Sequence, residues 1–426
     1  MRTSIHASRI VAAMFCSAAA IGWLTAPAAA QTFTTLHKFC AKANCADGAN
    51  PLQSPLIPDG AGNFFGTAQN GGANSGGVLY EMIGGTKFKA LFDFPASVSP
   101  RGPLVRDIAG NLYGIAGTGN IGTGGIFRLH PNAKQTKWSY ETLYTFCVAG
   151  GGCPDGQAPV ELTYVGAASG SAYDGKAPLF GSTIFGGAKG DGTVFQLSRK
   201  KGVWQETVLY SFCSQASCAD GMWPSYGLIT DATGNLYGTT TAGGGSAGQG
   251  IVFRLAPAGK KAWTESVLYS FCKDASCTDG GQPSGLVADA SGTLYGTTQT
   301  GGDASGGLSG GVLYRLVPSG GSYDYARLYS FCQQPSCADG DAPQTSMTLD
   351  SSGTLYGTTA GDSRVFAFAP QTSNYQVLHS FCPHGKCSDG VMPLSPLTLD
   401  AAGNLFGNTN SGGNQFEGGT VFEITR

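Results

Sequence analysis

The chain has 426 residues, and 41% of them are hydrophobic, so a sizeable core can be buried and wholesale disorder is excluded. Glycine is unusually abundant at 67 residues, whereas charged residues make up only 12%. The formal net charge of −2 lacks the basic surplus of a nucleic-acid-binding protein, so no nucleic-acid partner is expected.

Residues 1–30 have the composition of a secretory signal peptide. Arg2 and Arg9 precede an apolar run over residues 10–24, and small residues lead up to Ala30. This order predicts cleavage after Ala30 and an exported protein, either periplasmic or extracellular. A membrane anchor is disfavoured because the run is shorter than the ~20 residues of a spanning helix. The mature chain would keep 25 − 2 = 23 basic and 27 acidic residues, a charge of −4.

The rest of the chain, residues 31–426, is predicted to be a single domain made of seven copies of one pattern. Each copy contains a string like Leu-Tyr-Gly, and the strings are about 57 residues apart. The last glycines of these strings are Gly66, Gly114, Gly181, Gly238, Gly296, Gly357 and Gly407. The fifth copy shows four short β-like runs: type D at 263–271, type A at 286–289, type B at 294–298 and type C at 311–316.

A tight turn joins the A and B runs in six copies. It reads Asp-x-x-Gly followed by Asn or Thr, which suits a hairpin turn because Asp bonds backbone amides and Gly accepts positive φ. The six turns begin at Asp59, Asp107, Asp231, Asp289, Asp350 and Asp400. The third copy lacks this turn and has an insertion near 166–176.

Four strands per copy and seven copies predict an all-β, seven-bladed β-propeller with four antiparallel strands per blade. The order of runs begins with a D-type run at 33–39 and ends with a C-type run at 419–425. The ring therefore closes if the first strand completes the last blade, which removes free sheet edges. A β-solenoid is the alternative, and it would leave that first strand unpaired.

The repeat resembles the bacterial choice-of-anchor tandem repeat family known as GloVer. The matching residues are 235–240, Asn-Leu-Tyr-Gly-Thr-Thr, followed by 250–253, Gly-Ile-Val-Phe, and their six counterparts. The resemblance covers residues 33–426 and implies an exported or surface repeat protein without assigned catalytic residues. It also implies a C-terminal anchor by its name, and none is expected here.

Twelve cysteines remain after the predicted signal, and they form six local pairs. The pairs are Cys40 and Cys45, Cys147 and Cys153, Cys213 and Cys218, Cys272 and Cys277, Cys332 and Cys337, and Cys382 and Cys387. The second copy has Pro95 in place of the first cysteine and lacks the second too, so we expect each pair to be a disulfide. A zinc site is disfavoured because one pair supplies only two ligands, and no metal or cofactor is expected.

An Asp-Gly dipeptide follows each pair, with a proline three residues beyond the glycine. The simpler interpretation is a turn that leads the chain into strand A. The alternative is a ring of cation-binding acids, which is disfavoured because calcium needs six to eight oxygens in one cage.

The connections from D to A and from B to C lie on one face of a propeller, here called the loop face. Their glycine-rich segments differ most between copies, so we expect ligands to meet the loop face near the central channel. The ligand-binding candidates are Trp223, which replaces smaller residues of other copies, His384 between two cysteines, and Asp341. Trp138, Trp204 and Trp263 share one register and are expected to be structural.

No catalytic signature is convincing. The string at 244–248, Gly-Gly-Ser-Ala-Gly, resembles a nucleophile elbow but precedes no helix. Three functions remain open. The first is a non-catalytic propeller, expected to be monomeric and without a membrane span, that binds an extracellular polysaccharide, peptide or cell-surface partner. The second is a carbohydrate-active lyase or hydrolase with acids at the channel mouth. The third is a structural envelope protein.

Overall fold

Short runs of β-branched and aromatic residues separated by glycine-rich turns form seven separate four-stranded antiparallel sheets, arranged as the blades of a propeller. The computed structural model describes residues 31–117, 123–148, 151–259, 262–303, 310–383, 385, 387–415 and 417–426. The predicted signal, residues 1–30, lies outside the described residues. The predicted fold class and the number of blades are confirmed.

The first four blades each run from strand A to strand D in chain order. Blade I contains β2 (Ile57–Pro58), β3 (Phe64–Ala68), β4 (Val78–Ile83) and β5 (Lys87–Asp93). Blade II contains β6 (Pro100–Arg106), β7 (Leu112–Ala116), β8 (Gly125–Pro131) and β9 (Trp138–Thr145). Blade III contains β10 (Gln157–Thr163), β11 (Leu179–Phe185), β12 (Thr193–Lys200) and β13 (Val203–Ser211). Blade IV contains β14 (Ile229–Thr230), β15 (Leu236–Thr240), β16 (Ile251–Pro257) and β17 (Trp263–Ser270).

The last three blades complete the ring. Blade V contains β18 (Gly281–Ala288), β19 (Leu294–Thr300), β20 (Val312–Ser319) and β21 (Ser322–Ser330). Blade VI contains β22 (Thr348–Leu349), β23 (Leu355–Thr359), β24 (Arg364–Ala369) and β25 (Asn374–Ser380). Blade VII contains β26 (Thr398–Leu399), β27 (Leu405–Thr409), β28 (Thr420–Thr425) and, as strand D, β1 (Thr32–Lys38). Short 3₁₀ turns occupy Ala43–Cys45, Ala167–Ser169, Ala216–Cys218 and Pro335–Cys337.

The first strand closes the ring, as predicted. Strand β1 pairs antiparallel with β28, from Thr32 opposite Thr425 to Lys38 opposite Thr420. Phe33 stacks on His379 of blade VI, with ring centroids 3.6 Å apart, so β1 also packs on the neighbouring blade. The described residues contain no helix that is long and apolar enough to span a bilayer.

The hydrophobic core lies between adjacent blades. One cluster joins Phe180 of blade III to Leu228 and Phe253 of blade IV. The glycine of the Leu-Tyr-Gly string fits this packing, since a Cβ on Gly238 would lie 2.6 Å from the Phe253 ring. The three register-matched tryptophans pack in the same junctions; Trp204, for example, lies edge-on to Tyr113 of the preceding blade at 6.2 Å.

The A–B turns form what we call the turn face. In blade IV the Asp231 carboxylate accepts bonds from the amides of Thr233 and Asn235, the Asn235 side chain and the Tyr237 hydroxyl. Blade III carries its insertion here instead, and Tyr173 from that insertion is fully buried against Tyr113 of blade II.

All six predicted cysteine pairs are disulfide-bonded. The carboxylate of the aspartate that follows each disulfide accepts hydrogen bonds from donors in the same loop. Asp220, for example, accepts bonds from the amides of Ser214 and Gln215 and from the Tyr210 hydroxyl at 2.7 Å. These carboxylates are engaged by donors within the loop, which accounts for the Asp-Gly pattern as a turn.

Candidate functional site

The innermost strand of every blade is entered through a residue with positive φ, and we call these seven residues the mouth ring. Each precedes a proline, and each has φ between 44° and 61°. The members in blade order are Asn50, Ser99, Ala158, Trp223, Gln282, Ala342 and Met392. The ring lies on the loop face, where the chain enters the wall of the central channel.

The mouth ring is held by hydrogen bonds between neighbouring blades. The amide of Trp223 donates to the carbonyl of Asp191 in blade III at 2.9 Å, and the amide of Asn50 donates to the carbonyl of Gly418 in blade VII at 2.7 Å. Equivalent bonds link the other members to the preceding blade, and Met392 uses the Ser363 hydroxyl of blade VI as its acceptor. The backbone therefore repeats around the ring although the side chains differ.

The proline that follows each ring residue adds a second contact between neighbouring blades. In six blades it packs against the glycine that precedes strand C of the preceding blade; a Cβ on Gly192, for example, would lie 2.6 Å from Cδ of Pro224. The Asp-Gly-x-x-Pro pattern of the sequence thus records a contact between blades as well as a turn.

None of the seven ring residues is glycine, although glycine fills many other positive-φ positions of this chain. A side chain at positive φ costs about 1 kcal/mol or more, and a following proline restricts the residue further. Glycine would be the least strained choice at every ring position. Most other non-glycine positive-φ residues lie in the disulfide loops, where the cysteine side chains are needed for the bridge. A residue other than glycine at a strained backbone position therefore suggests that its side chain has a function.

Trp223 and Met392 are the large apolar members of the mouth ring. Each is 40% exposed. They lie three blades apart, which places them on nearly opposite sides of the channel. The Trp223 backbone is fixed by its amide and by its carbonyl, which accepts bonds from Ser225 and Thr241. Its indole contacts no other aromatic ring among the described residues, so it is a free platform on a rigid backbone.

Asp341 and His384 are the other two ligand-binding candidates from the sequence. Asp341 adjoins the ring in blade VI, and its pKa is raised by burial and by the nearby Asp362 carboxylate. Asp362 in turn lies 2.8 Å from Arg364 and accepts a bond from Thr359. Asp341 is therefore part of a charged cluster within its own blade. His384 lies outside the described residues.

A cavity of about 130 Å³ opens in the channel wall directly inside the mouth ring. It lies among four blades and is lined by Gln53, Arg101, Pro159, Val160, Ile184, Ser225 and Tyr226. The Tyr226 hydroxyl accepts a bond from Gln299 at 3.1 Å. Burial lowers the pKa of Arg101, a direction that reflects the cost of holding a cation in this wall.

One acid lies deeper on the same channel wall. The Glu161 carboxylate rests against Gly227 of blade IV, where the Cβ of any larger residue would overlap it. Burial raises the pKa of Glu161 to about 7. Glu161 is the residue just before the strand A leucine of blade III, Leu162. Blades IV and V have Gly227 and Gly285 at this position, so the acid is specific to blade III.

A larger cavity of about 560 Å³ lies on the turn face between blades IV and V, beside the insertion of blade III. Its polar walls are the A–B turns that contain Asp231 and Asp289, whose carboxylates bond within their own turns. Ala232 and Ala290 line it as well. The cavity is roomy, but few of its polar groups are left for a ligand.

Comparison with known families agrees with this architecture. The model of the Gloeobacter/Verrucomicrobia repeat matches residues 13–177, 165–364 and 244–426. The chain belongs to the Gloeobacter/Verrucomicrobia repeat family. The resemblance inferred from the sequence is thereby confirmed. No curated protein matches the chain.

Solved propellers are similar to this repeat protein in fold. Virginiamycin B lyase from Staphylococcus aureus is 13% identical, with a TM-score of 0.57, over 93% of this chain and 99% of that chain. A streptogramin B lyase is 12% identical, with a TM-score of 0.56, over 93% of this chain and 97% of that chain. At these identities the likeness extends to the fold alone.

Sequence reasoning found Trp223 because it breaks a repeated string, but it missed three residues of the site. Ser99 was missed because its copy lacks the cysteine pair that marks the position. The charge of Arg101 and Glu161 was visible, but their place in the channel wall depends on neighbouring blades. The position of Glu161 just before the strand A leucine, where other copies have uncharged residues, is the signal that could have found it.

Proposed function

We propose that this protein is an exported, non-catalytic propeller that binds an extracellular ligand through its loop face. The mouth ring is the contact surface, and a polysaccharide is the ligand that suits it best. The observation that carries the proposal is the set of seven positive-φ side chains, none of them glycine, around one channel opening.

The physical argument starts from the backbone. Hydrogen bonds between blades and the proline contacts hold each ring residue in place, so little conformational entropy is lost when a ligand arrives. Variable side chains on a fixed backbone are typical of binding surfaces on propellers and other rigid scaffolds. An exposed tryptophan adds a flat apolar surface with a polar N–H, which suits the face of a sugar ring.

Export is the second part of the proposal. Six disulfides in local loops are stable in an oxidising compartment and rare in the cytosol. The predicted signal at residues 1–30 agrees with this, and so does membership of the repeat family. Determination of the mature N-terminus by mass spectrometry of secreted material tests the signal, with Gln31 as the expected first residue.

The binding test is a glycan panel read by calorimetry, with the native protein and Trp223→Gly. Glycine relieves the positive-φ strain, so the variant should fold at least as well as the native chain. We expect binding of at least one glycan and a loss of about tenfold or more in affinity on substitution, equivalent to about 1.4 kcal/mol.

Ala290→Tyr is the matched control, because it fills the turn-face cavity and leaves the mouth ring intact. It should bind as the native protein does. Loss of binding in Ala290→Tyr together with normal binding in Trp223→Gly would refute the proposal. Absence of binding to every glycan and peptide at millimolar concentration would favour the structural role.

A carbohydrate-active enzyme is the second candidate, and Glu161 is the observation that favours it. A carboxyl group with a pKa near 7 beside a channel cavity suits general acid–base catalysis. Incubation with acidic and neutral polysaccharides followed by chromatography of the products tests this. Product that disappears in Glu161→Gln would support an enzyme, and unchanged polymer in every sample would exclude cleavage of those substrates.

A further inference from the structure

Arg101 is a channel arginine without an acidic partner. It lies on β6 of blade II, partly buried in the cavity inside the mouth ring. Every Asp and Glu of the sequence is among the described residues, and none has an oxygen within 4.0 Å of the Arg101 guanidinium. By contrast, Arg128 and Arg327 pair with acids at 2.5 and 2.6 Å.

A half-buried guanidinium without a counter-ion is costly, because burial removes water from a permanent charge. The charge is held in place by the blade. A Cβ on Gly117 would lie 3.3 Å from Cδ of Arg101, so the side-chain stem packs along that glycine. Arg101 is thus positioned at the channel rather than free on the surface.

The cavity around Arg101 is lined by polar and apolar residues and by no acidic residue. Gln53 and Ser225 line the same cavity, and Ser225 lies two residues from Trp223. A planar guanidinium matches a carboxylate or a sulfate through two parallel N–H···O bonds. A cavity of about 130 Å³ is large enough for one such group.

Blade II is also the exceptional blade on this face. It lacks the disulfide of the other six, and a cavity of about 210 Å³ is lined by residues of its loops, among them Pro95 and Gly117. The missing bridge and Arg101 therefore occur in one blade.

We propose that the mouth ring and its cavity bind an acidic polysaccharide, with a sugar ring against Trp223 and the anionic group of a neighbouring sugar on Arg101. This inference rests on the proposed function and specifies its ligand class. The negative net charge of the protein opposes an anionic polymer only weakly, since exposed charges are screened beyond about 8 Å at physiological salt.

The test uses three oligosaccharides of similar length: an oligogalacturonate, its methyl ester, and a sulfated oligosaccharide. We expect the oligogalacturonate or the sulfated oligomer to bind at least about tenfold more tightly than the uncharged ester. The stronger of the two anions identifies the group that Arg101 recognises. Equal affinity for the ester and both acids would overturn the proposal.

The variants are Arg101→Ala and a matched control, Arg106→Ala. Arg106 lies on the same strand and its replacement removes the same charge, but its guanidinium bonds to the carbonyl of Asp59 on the turn face. Arg101→Ala should weaken binding of the acidic oligomer by about 10- to 100-fold and leave the ester unchanged. Arg106→Ala should leave both unchanged.

The outcomes separate this inference from the proposed function. If both the ester and the acid bind, and if their binding depends on Trp223 but not on Arg101, the proposed loop-face function stands. The proposal of an acidic ligand is then overturned. Equal weakening by Arg101→Ala and Arg106→Ala also overturns it, because a long-range charge effect would then explain the loss. If no probe binds and no variant matters, both proposals fail.

Discussion

The turn face and the mouth ring are built from the same seven repeats, yet they use them in opposite ways. On the turn face the side chains repeat: an aspartate bonds the same amides in six blades, as at Asp231 and Asp350. In the mouth ring the backbone repeats and the side chains differ, from Ala158 to Trp223.

The difference separates stability from recognition. A carboxylate saturated within its own turn holds a hairpin and has little left to offer a ligand. A ring of strained, variable side chains adds little to the hairpins and presents six different residue types around one opening. Substitutions should therefore affect the two regions differently.

The largest effect on stability should come from opening the propeller, because its closure supports both the turn face and the mouth ring. Deletion of Thr32–Lys38 removes the strand that pairs with β28 and the packing of Phe33 and Leu36. We expect a loss of about 3 kcal/mol or more in the free energy of unfolding. Chemical denaturation measures it, with Phe33→Ala as a milder control that keeps the strand. An unchanged midpoint after the deletion would contradict the closure.

Glu161 should make the free energy of unfolding depend on pH. Its pKa of about 7 in the folded chain exceeds the 4.5 of an unperturbed glutamate, so the folded state binds more protons between these values. This stabilisation is present at pH 4 and is lost as the pH rises through 7, up to about 3 kcal/mol.

Glu161→Gln should therefore gain stability over the native protein at pH 8 relative to pH 5, measured by thermal unfolding at both values. Comparison of the two proteins cancels the contribution of every other titrating group. Parallel curves for the two proteins would show that Glu161 keeps an ordinary pKa.

On the turn face, Asp231→Ala should cost about 1–2 kcal/mol of stability, because it leaves the amides of Thr233 and Asn235 without their acceptor. Asp289→Ala, in the equivalent turn of blade V, should cost a similar amount. Calorimetric titration should find ligand binding unchanged in both. A selective loss of binding would move the ligand to the turn face.

In the mouth ring, Ala342→Gly should stabilise the protein slightly, by about 0.5–1 kcal/mol, because relief of positive-φ strain exceeds the added freedom of the unfolded chain. Ala158→Gly makes the same change in a second blade and should give a similar gain. Urea denaturation measures both. Destabilisation of both variants would mean that the ring positions carry no strain.

The sequence predicted the architecture because each repeat encodes it locally. The Asp231 turn, the glycine of Leu-Tyr-Gly and the cysteine pairs recur in order, and the phase of the first and last strands implies the pairing of β1 with β28. Trp223 was identifiable because repetition makes an exception visible. The insertion of blade III was visible too, but not the burial of Tyr173 against blade II.

The rest of the site depends on contacts between blades that no single repeat encodes. The strain at Trp223 follows from its bond to Asp191 and the contact of Pro224 with Gly192, which belong to the preceding blade. The lack of a partner for Arg101 is a property of four blades that meet at one cavity. Such features require the assembled ring.

The most direct test of ligand binding at the loop face is hydrogen–deuterium exchange with and without a saturating acidic oligosaccharide. We expect protection of the segments 99–101 and 223–226, and unchanged exchange in 229–233 and 288–292. Protection confined to 229–233 and 288–292, at the turn-face cavity, would contradict the assignment of the ligand to the mouth ring.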